Sequence, residues 1–540
     1  MSSTQQSGAP LDLSVGAFSE APPWLVDIDE LAWRKGIETL RVRSQEATYA
    51  LIRRRRLPPL ISSLRVGSRL GWAMGWWYLR TRGTTRSRAG LSRRLRLAFE
   101  KLGPTYIKLG QIISAGEGVF PAELTDEFRL CRDRVPAVKF STVRRIVEED
   151  LGAKLSQVFS FFDETPIAAA SIAQVHHARL ISGEEVVVKV QRPNIDRQVR
   201  RDLSVMSWLA PSLVGRIPVA ALANPPVLIE VFAETITEEL DFRLEAQNML
   251  DVAHILALSE QRALVVPRPH PTLVTQRVLV MERLVGYGWA DVDAMVKAGI
   301  DTSAVLTDAL IAFLEGLVLY GVFHGDLHSG NLLVREDGRV ALLDFGITGR
   351  LDQEGRRAFM RLVISTAGND VTQQLNAMRD LGALPRDVDI DMVISDLGLD
   401  KPPVDPLTMG ADELINQIRD VTKALLGYGA RLPKPLMLFV KDVLFIDNAL
   451  NTMAPQSDIL QQILTILSTI QNKHGDRIAK ELGLSGAPNA GVDMAGIRAS
   501  LGLSPDVERI TREELQARRA LIRKRLESHR RSQAKRENSR

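Results

Sequence analysis

A single cysteine, Cys131, in 540 residues permits no internal disulfide and no zinc cluster built on thiolates. It reads as a small buried hydrophobe. No stretch free of Asp, Glu, Lys and Arg exceeds 14 residues, at 165–178 and 459–472. A spanning helix needs ~18–20 apolar residues, so no transmembrane span is expected. The N-terminus, MSSTQQSGAP, has neither a basic n-region nor an apolar h-region, and secretion is not expected. The apolar fraction of 45% and charged fraction of 25% exclude disordered, collagen-like and fibrous classes. The expectation is a cytoplasmic protein without a structural metal, of about two to four domains.

Acidic residues are nearly missing from two segments. Residues 51–100 hold 13 Arg and one acid, Glu100, a net of +12, and residues 509–540 hold 12 Lys/Arg and four acids, a net of +8. Those +20 charges against a total of +4 leave −16 on the other 458 residues. Attraction to an anionic surface is therefore confined to two appendages. The stretch 70–79 carries Trp72, Trp76, Trp77 and Tyr78 between Arg69 and Arg80. Such a cluster suits a lipid headgroup region, where each basic residue adds ~1 kcal/mol. On a helix Arg69, Trp72, Trp76 and Arg80 share one face, so docking on the acidic body with snorkelling arginines fits equally well. RNA binding ranks low, because the tryptophans are clustered and no nucleic-acid fold motif is present.

Strand-like runs occur at 175–180, 185–190 (EVVVKV) and 273–284, and long helical patterns at 197–216, 227–258 and 302–320. Two short strands, 332–334 and 340–343, interrupt the later part, which reads as helices from 351 to about 480. Linkers fall at 401–411 and 484–496. This order predicts an α+β protein, a mixed sheet-and-helix lobe followed by a helical one.

The most specific segment is HGDLHSGNLLVREDGRVALLDFG, residues 324–346. Asp326 and Asn331 lie five apart, and Asp344 opens Asp344-Phe345-Gly346 thirteen residues beyond Asn331. A hairpin turning at 336–338 would return Asp344 to the end that carries Asp326 and Asn331, giving the oxygen donors that hard Mg²⁺ takes together with nucleotide phosphates. This is the catalytic-loop and D-F-G spacing of protein kinases, with Gly325 where an Arg would stand. A His324, Asp326 and His328 metal site for a hydrolase leaves Asn331 and Asp344 unexplained, and a set of plain turn residues is the third reading. Asp326 is the base candidate; His324 is expected to bond backbone near the Asp344 turn.

Lys189 sits in a strand of valines and needs an anionic partner. Glu234, Glu238, Asp241, Glu245 and Asn248 recur at spacings of 4, 3, 4 and 3, as one stripe on a helix, with Glu239 beside it. A solvated face is the ordinary reading of such a stripe. Because Leu240, Phe242, Leu244 and Leu250 bury the other side, Glu245 is the expected partner of Lys189.

These motifs together resemble the UbiB family of atypical kinase-like (aarF-domain) proteins over about residues 100–350. Ala168-Ala169-Ala170-Ser171 is similar to that family's Ala-rich loop, Lys108-Leu109-Gly110-Gln111 to its KxGQ motif and Glu239-Leu240-Asp241 to its ExD motif. Glu245 falls where its lysine-pairing glutamate lies. Alanines in place of glycines stiffen a nucleotide-covering loop by forbidding positive φ, although an Ala-rich helix start is the alternative for Ala168–Ala170. Pro104 suits a helix start, which puts Lys108 and Gln111 on one face.

The resemblance implies a two-lobed kinase-like fold with an N-terminal helical extension over the active site. Expected boundaries are a partly disordered tail (1–40), a basic aromatic helical segment (41–100), the extension (101–160), an N-lobe (161–285), a C-lobe (286–480) and a linker with a basic tail (481–540). It implies ATP (or ADP) and Mg²⁺ as ligands. Lys189 held by Glu245 would orient phosphates, Asn331 and Asp344 would hold the metal, and Asp326 would position the attacking group. Ala168, Ala169, Ala170, Ser171 and the backbone of Met281 and Glu282 would contact the nucleotide. Lys108, Gly110, Gln111, Glu239 and Asp241 would be regulatory, with Lys108 near the Glu239 and Asp241 carboxylates. It also implies a role with isoprenoid lipids, chiefly quinones, and their biosynthetic enzymes at a membrane surface. This chain departs from the family in Ser329, which stands for a usual proline, and in a basic C-terminal segment where many bacterial members have membrane spans. Attachment would then be peripheral, on the inner face of the membrane. A non-catalytic nucleotide-gated scaffold and a true protein kinase remain the alternatives to an ATPase.

Overall fold

The fold is described from a computed structural model. The residues described are 23–53, 66–72, 88–115, 122–131, 135–213, 225–399, 427–483 and 494–522 (369, 431, 432, 502 and 505 excepted), with isolated positions 18, 63, 64, 75 and 524. The chain divides into two units: Met1–Val285 with Ala341–Thr348, and Gly286–Val340 with Gly349–Arg540.

In the first unit, α1 (Ile37–Ile52) is followed by α2 (Arg88–Leu102), α3 (Pro104–Ala115), α4 (Ala122–Arg129) and α5 (Phe140–Leu151). Strands β1 (Phe159–Phe162), β2 (Ala168–Ala169), β3 (Ala173–Leu180) and β4 (Glu185–Gln191) lead to α6 (Ile195–Leu213), α7 (Pro225–Glu238) and α8 (Phe242–Leu258). A two-residue strand, β5 (Leu264–Val265), precedes β6 (Pro269–Val274) and β7 (Val278–Glu282). The antiparallel sheet runs β1-β3-β4-β7-β6, with β2 paired to β3. Its core follows from strand alternation. Val186, Val188 and Val190 on β4 join Val143, Ile146 and Val147 of α5 in one buried cluster. Lys189, between two of those valines, therefore faces the other side.

Three expectations change here. The run 227–258 is two helices rather than one, because Asp241 is extended (φ −138°, ψ 107°) and caps α8 by accepting from the Arg243 amide at 3.1 Å. The acidic stripe is thereby split: Glu234 and Glu238 lie on α7, Glu245 and Asn248 on α8. The run 273–284 is likewise broken, since Thr275 and Arg277 turn the chain between β6 and β7 and both bond Asp150 of α5. Finally, residues 23–40, expected as a tail, belong to the folded unit. Leu31, Trp33 and Ile37 are buried, Trp24 Nε1 donates to Pro269 O at 3.1 Å, and α1 meets α7 through Thr48 with Thr237 and Tyr49 with Glu234, each at 2.8 Å. Of the aromatic cluster, Arg69 and Trp72 are described; Trp76, Trp77, Tyr78 and Arg80 lie outside the described residues.

The second unit carries β8 (Tyr287–Gly288), α9 (Thr302–Glu315), a π turn (Gly316–Tyr320), β9 (Val322–His324) and β10 (Leu332–Val334), which pairs antiparallel with β8. The turn after β10 closes through the Arg335 amide on Arg339 O at 2.9 Å, with Gly338 at φ 80°. Helices α10 (Gln353–Ala367), α11 (Val371–Asp380), α12 (Ile390–Leu397), α13 (Lys434–Met453), α14 (Ile459–Glu481) and α15 (Met494–Ser500) follow. One described helix, Thr302–Tyr320, is long and apolar enough to cross a membrane by length and composition (mean hydropathy 1.7), and 56% of it is buried in the body. Its Glu315 is buried and accepts from His474 Nε2 at 2.8 Å and Lys473 at 3.2 Å, as suits a core helix. The C-terminal stretch is docked rather than a loose tail as far as 515. Ile497, Leu503, Ile510 and Leu515 pack with Ile459 and Leu460 of α14, and Arg512 and Arg519 pair with Asp447 at 3.3 and 3.2 Å. Residues 525–540 lie outside the described residues.

Candidate active site

Within the first unit, strand register sets Lys189 opposite Leu279 of β7, and its ammonium reaches α8. Lys189 Nζ bonds Glu245 Oε1 at 2.6 Å and Asp344 Oδ2 at 3.1 Å. Glu245 is almost fully buried at 2% exposure, whereas the Asp344 side chain is 36% exposed. Burial alone would lower the Lys189 pKa, but Asp344 and Glu245 outweigh it and hold the ammonium above its ordinary range. Burial pushes the Glu245 carboxyl up to about 7 against the opposing pull of Lys189. One cation facing two carboxylates leaves the buried one harder to ionise.

The Asp344 turn is fixed from the same helix. Glu245 Oε1 accepts from the Phe345 amide at 3.4 Å, Asn248 Nδ2 donates to Phe345 O at 2.9 Å, and Asp344 Oδ1 accepts from the Gly346 amide at 2.9 Å. Phe345 is fully buried. Asn248, read from sequence only as a member of the stripe, is therefore a structural support of the turn.

Lys108 on α3 bonds Glu239 at 2.8 Å, and both are largely buried. A Cβ at Gly346 would stand 3.1 Å from Glu239 Cγ, so Glu239 lies against the Asp344 turn. Gly110 is required by close packing, since a Cβ there would meet Phe128 Cδ1 at 2.7 Å and Cys131 Sγ at 3.0 Å. Asp241 is engaged elsewhere, by the Arg243 fork at 3.0 and 2.7 Å as well as by its cap bond. Ser114 Oγ donates to the carbonyl of Gln111, which sits partly buried on α3.

Ala168 and Ala169 form β2, paired with Val175 and Gln174, and the Ala170 amide returns to Ala173 O at 2.9 Å. The segment is a strand-turn-strand with Ala168 and Ala170 exposed and Ser171 buried, not a helix start. Met281 and Glu282 end β7 as expected, but the Glu282 amide is spent on Arg268 O at 2.9 Å and the next, of Arg283, points to Glu185 O at 3.4 Å. The Glu282 carboxylate faces buried Arg268 at 3.5 Å. Those two amides are therefore committed to neighbouring strands rather than to a purine.

Within the second unit, the loop after β9 is held by its own side chains. His324 Nδ1 accepts from the Asp326 amide at 3.2 Å, and His328 Nδ1 accepts from the Gly330 amide at 3.1 Å. Both rings thus serve loop backbone, which weakens the histidine-aspartate metal reading. Asn331 Nδ2 donates to Asp326 O at 3.1 Å, which leaves its Oδ1 for a hard cation. Among the described residues no three His, Cys, Asp or Glu side chains gather as a metal cage. Asn331, in the second unit, offers an amide oxygen, and Asp344, in the first, offers a carboxylate; each is the kind of hard oxygen donor that magnesium takes.

Sequence reasoning missed two neighbours on α13. Lys441 pairs with the Asp326 carboxylate, and Asp442 Oδ1 accepts from the Leu327 amide at 3.1 Å. Asp442 is fully buried, and burial raises its pKa well above the carboxylate range. An adjacent Lys-Asp pair on an apolar helix more than a hundred residues away carried no local signal tying it to this loop.

The profile of the ABC1 atypical kinase-like domain matches residues 130–378. An uncharacterized protein of Mycobacterium tuberculosis is 37% identical over 360 residues, covering 66% of this chain and 74% of that protein. An aarF domain-containing protein kinase of Arabidopsis thaliana, named as chloroplastic, is 33% identical over 68% of this chain and 73% of its own. A probable protein kinase UbiB of Aeromonas hydrophila is 30% identical over 69% of each chain.

Proposed function

The chain belongs to the UbiB/aarF family of ABC1 atypical kinase-like proteins, and from that premise we propose that it binds ATP with Mg²⁺ and hydrolyses it or transfers its terminal phosphoryl group. The observation that carries this reading is the buried Lys189, bonded at once to Glu245 and to Asp344. A lysine is taken out of water in a valine strand only where anions compensate it, and this one stands ready to meet phosphate oxygens as well. Lys189 would orient the α- and β-phosphates. Asp344 and Asn331 would hold Mg²⁺, which supplies charge neutralisation on the phosphates when bound. Asp326, steadied by Lys441 and by the Leu327–Asp442 bond, would orient the attacking hydroxyl or water. The adenine amide donor falls after Arg283 in this reading.

Small turnover and poor protein phosphorylation follow from two features. The alanine loop restricts backbone approach to phosphates, and the Lys108–Glu239 pair crowds Gly346 beside Asp344. ATP hydrolysis is therefore favoured over protein phosphorylation. The same proposal has the protein work on isoprenoid lipids, chiefly quinones, at the inner face of a membrane. In the described part of the C-terminal basic segment, Arg512 and Arg519 engage Asp447. A nucleotide-gated scaffold is the second reading, favoured by the same Lys108–Glu239 pair.

The test is ATP hydrolysis by the full-length protein, with and without anionic liposomes, beside Asp344→Asn. Turnover that depends on Asp344 and rises with liposomes supports a membrane-stimulated ATPase. Nucleotide binding with turnover no greater than the variant's removes the enzyme and leaves the scaffold.

A further inference from the structure

Arg192 follows β4 directly, three residues beyond Lys189. Its guanidinium is surrounded by backbone oxygens: Nε donates to Ala170 O at 2.9 Å, Nη1 to Pro136 O at 2.9 Å and Nη2 to Val135 O at 3.2 Å. Its own amide donates to Ile172 O at 2.9 Å, and the Val135 amide donates to Ala169 O at 3.2 Å. Three residues on, the Val138 amide donates to Gln174 Oε1 at 2.8 Å. Backbone from 135 to 138 thus runs along the β2–β3 turn, and one side chain ties the two together. Burial lowers the Arg192 pKa from its ordinary value. A guanidinium ordinarily keeps its charge in water or beside a carboxylate. Three carbonyls from two separate segments make this a built junction.

We propose that Arg192 is a positioning residue that clamps the Ala168–Ser171 loop, so that the loop lifts only when the guanidinium releases Ala170. The clamp rests on the reading above for its consequence, since that reading places nucleotide phosphates under this loop. Its partners at 135 and 136 follow α4 in the chain, and α4 packs on α3, which carries Lys108 and Gln111. A change in the helical extension would reach the nucleotide loop through this junction and alter how long nucleotide stays. Alanine stiffens the loop from within, and Arg192 holds it from outside. The fork geometry is essential, because a lysine ammonium is a point charge that does not span three carbonyls in two planes.

The test uses the full-length protein. Hydrogen exchange of the amides at 166–173 is compared in wild type, Arg192→Ala and Arg192→Lys, with α9 amides as the control for intact folding. Both variants are expected to exchange about ten-fold faster or more at the loop and unchanged at α9, given what charge-assisted hydrogen bonds contribute. Release of a fluorescent ADP analogue with Mg²⁺ is expected to quicken several-fold in both. Wild-type protection retained in Arg192→Ala, or restored in full by Arg192→Lys, overturns the clamp. Faster exchange with unchanged release overturns its link to nucleotide residence. A wild type that binds no nucleotide removes the proposed function instead, while the exchange result still decides the clamp.

Discussion

Two lysines hold the two acids that matter most to this reading, in opposite surroundings. Lys189 is 10% exposed, comes from the middle of a sheet and meets two carboxylates, one of them nearly inaccessible. Lys441 is 25% exposed, comes from a helix and meets Asp326, itself 14% exposed. The first pair has lost its water and stands or falls as a unit; the second keeps part of its hydration, and its worth lies in orientation. The same two residue types therefore make a structural keystone in the first unit and an adjustable contact in the second.

The largest effect is expected at the keystone. Lys189→Met strands Glu245 and Asp344 without their cation, and should cost about 3–5 kcal/mol in urea unfolding along with ATP turnover. Asp344→Asn keeps the shape and a bond to Lys189, so turnover should fall ~10²-fold or more with far less loss of stability. Equal unfolding midpoints for Lys189→Met and Lys441→Met would break the comparison. Next comes Gly110→Ala, where a Cβ pressed on the Phe128 ring and Cys131 should lower stability by roughly 1–3 kcal/mol, read by thermal melting. Lys441→Met should cost no more than about 1 kcal/mol and reduce turnover with the ATP KM nearly unchanged.

The smallest expected effect concerns the docked N-terminal stretch. His270 on β6 packs against Trp24 with ring centroids 5.0 Å apart, and burial lowers its pKa from 6.5 to about 4. A histidine whose folded pKa is depressed is protonated first in the unfolded chain. Its neutral burial therefore stabilises fully above pH 6.5, and that contribution fades as pH falls toward 4. Discounted for partial exposure, the loss is on the order of 1 kcal/mol. Urea midpoints at pH 7 and pH 5 should draw apart in wild type and less so in His270→Asn.

The same contrast explains what was legible in the sequence. Lys189 stood out because a charge inside EVVVKV has no ordinary place in a strand core, and Glu245 followed from the need to pair it. In the 324–346 segment the loop and the two short strands were legible from its spacing. Where interactions join distant segments without a local misfit, the sequence was silent: Asp442 on the Leu327 amide, Asn248 on Phe345, and Arg192 on the alanine loop. The breaks at 239–241 and 275–277 were missed because hydrophobic periodicity continues across both, while a capping aspartate and an Asp150-anchored threonine decide the backbone. Trp24, Leu31 and Trp33 looked like tail residues beside a Ser/Pro-rich start, and only their burial shows otherwise.

The most direct test of the central claim, that the buried lysine cluster exists to meet nucleotide phosphates, is calorimetric titration of Mg-ATP into wild type and Lys189→Met at a temperature where both are folded. The account predicts saturable binding by the wild type and a loss of at least ten-fold in affinity in the variant, the ~1.4 kcal/mol that one phosphate contact from a desolvated ammonium should exceed. Equal affinity in the two proteins, or no binding by the wild type, would contradict it.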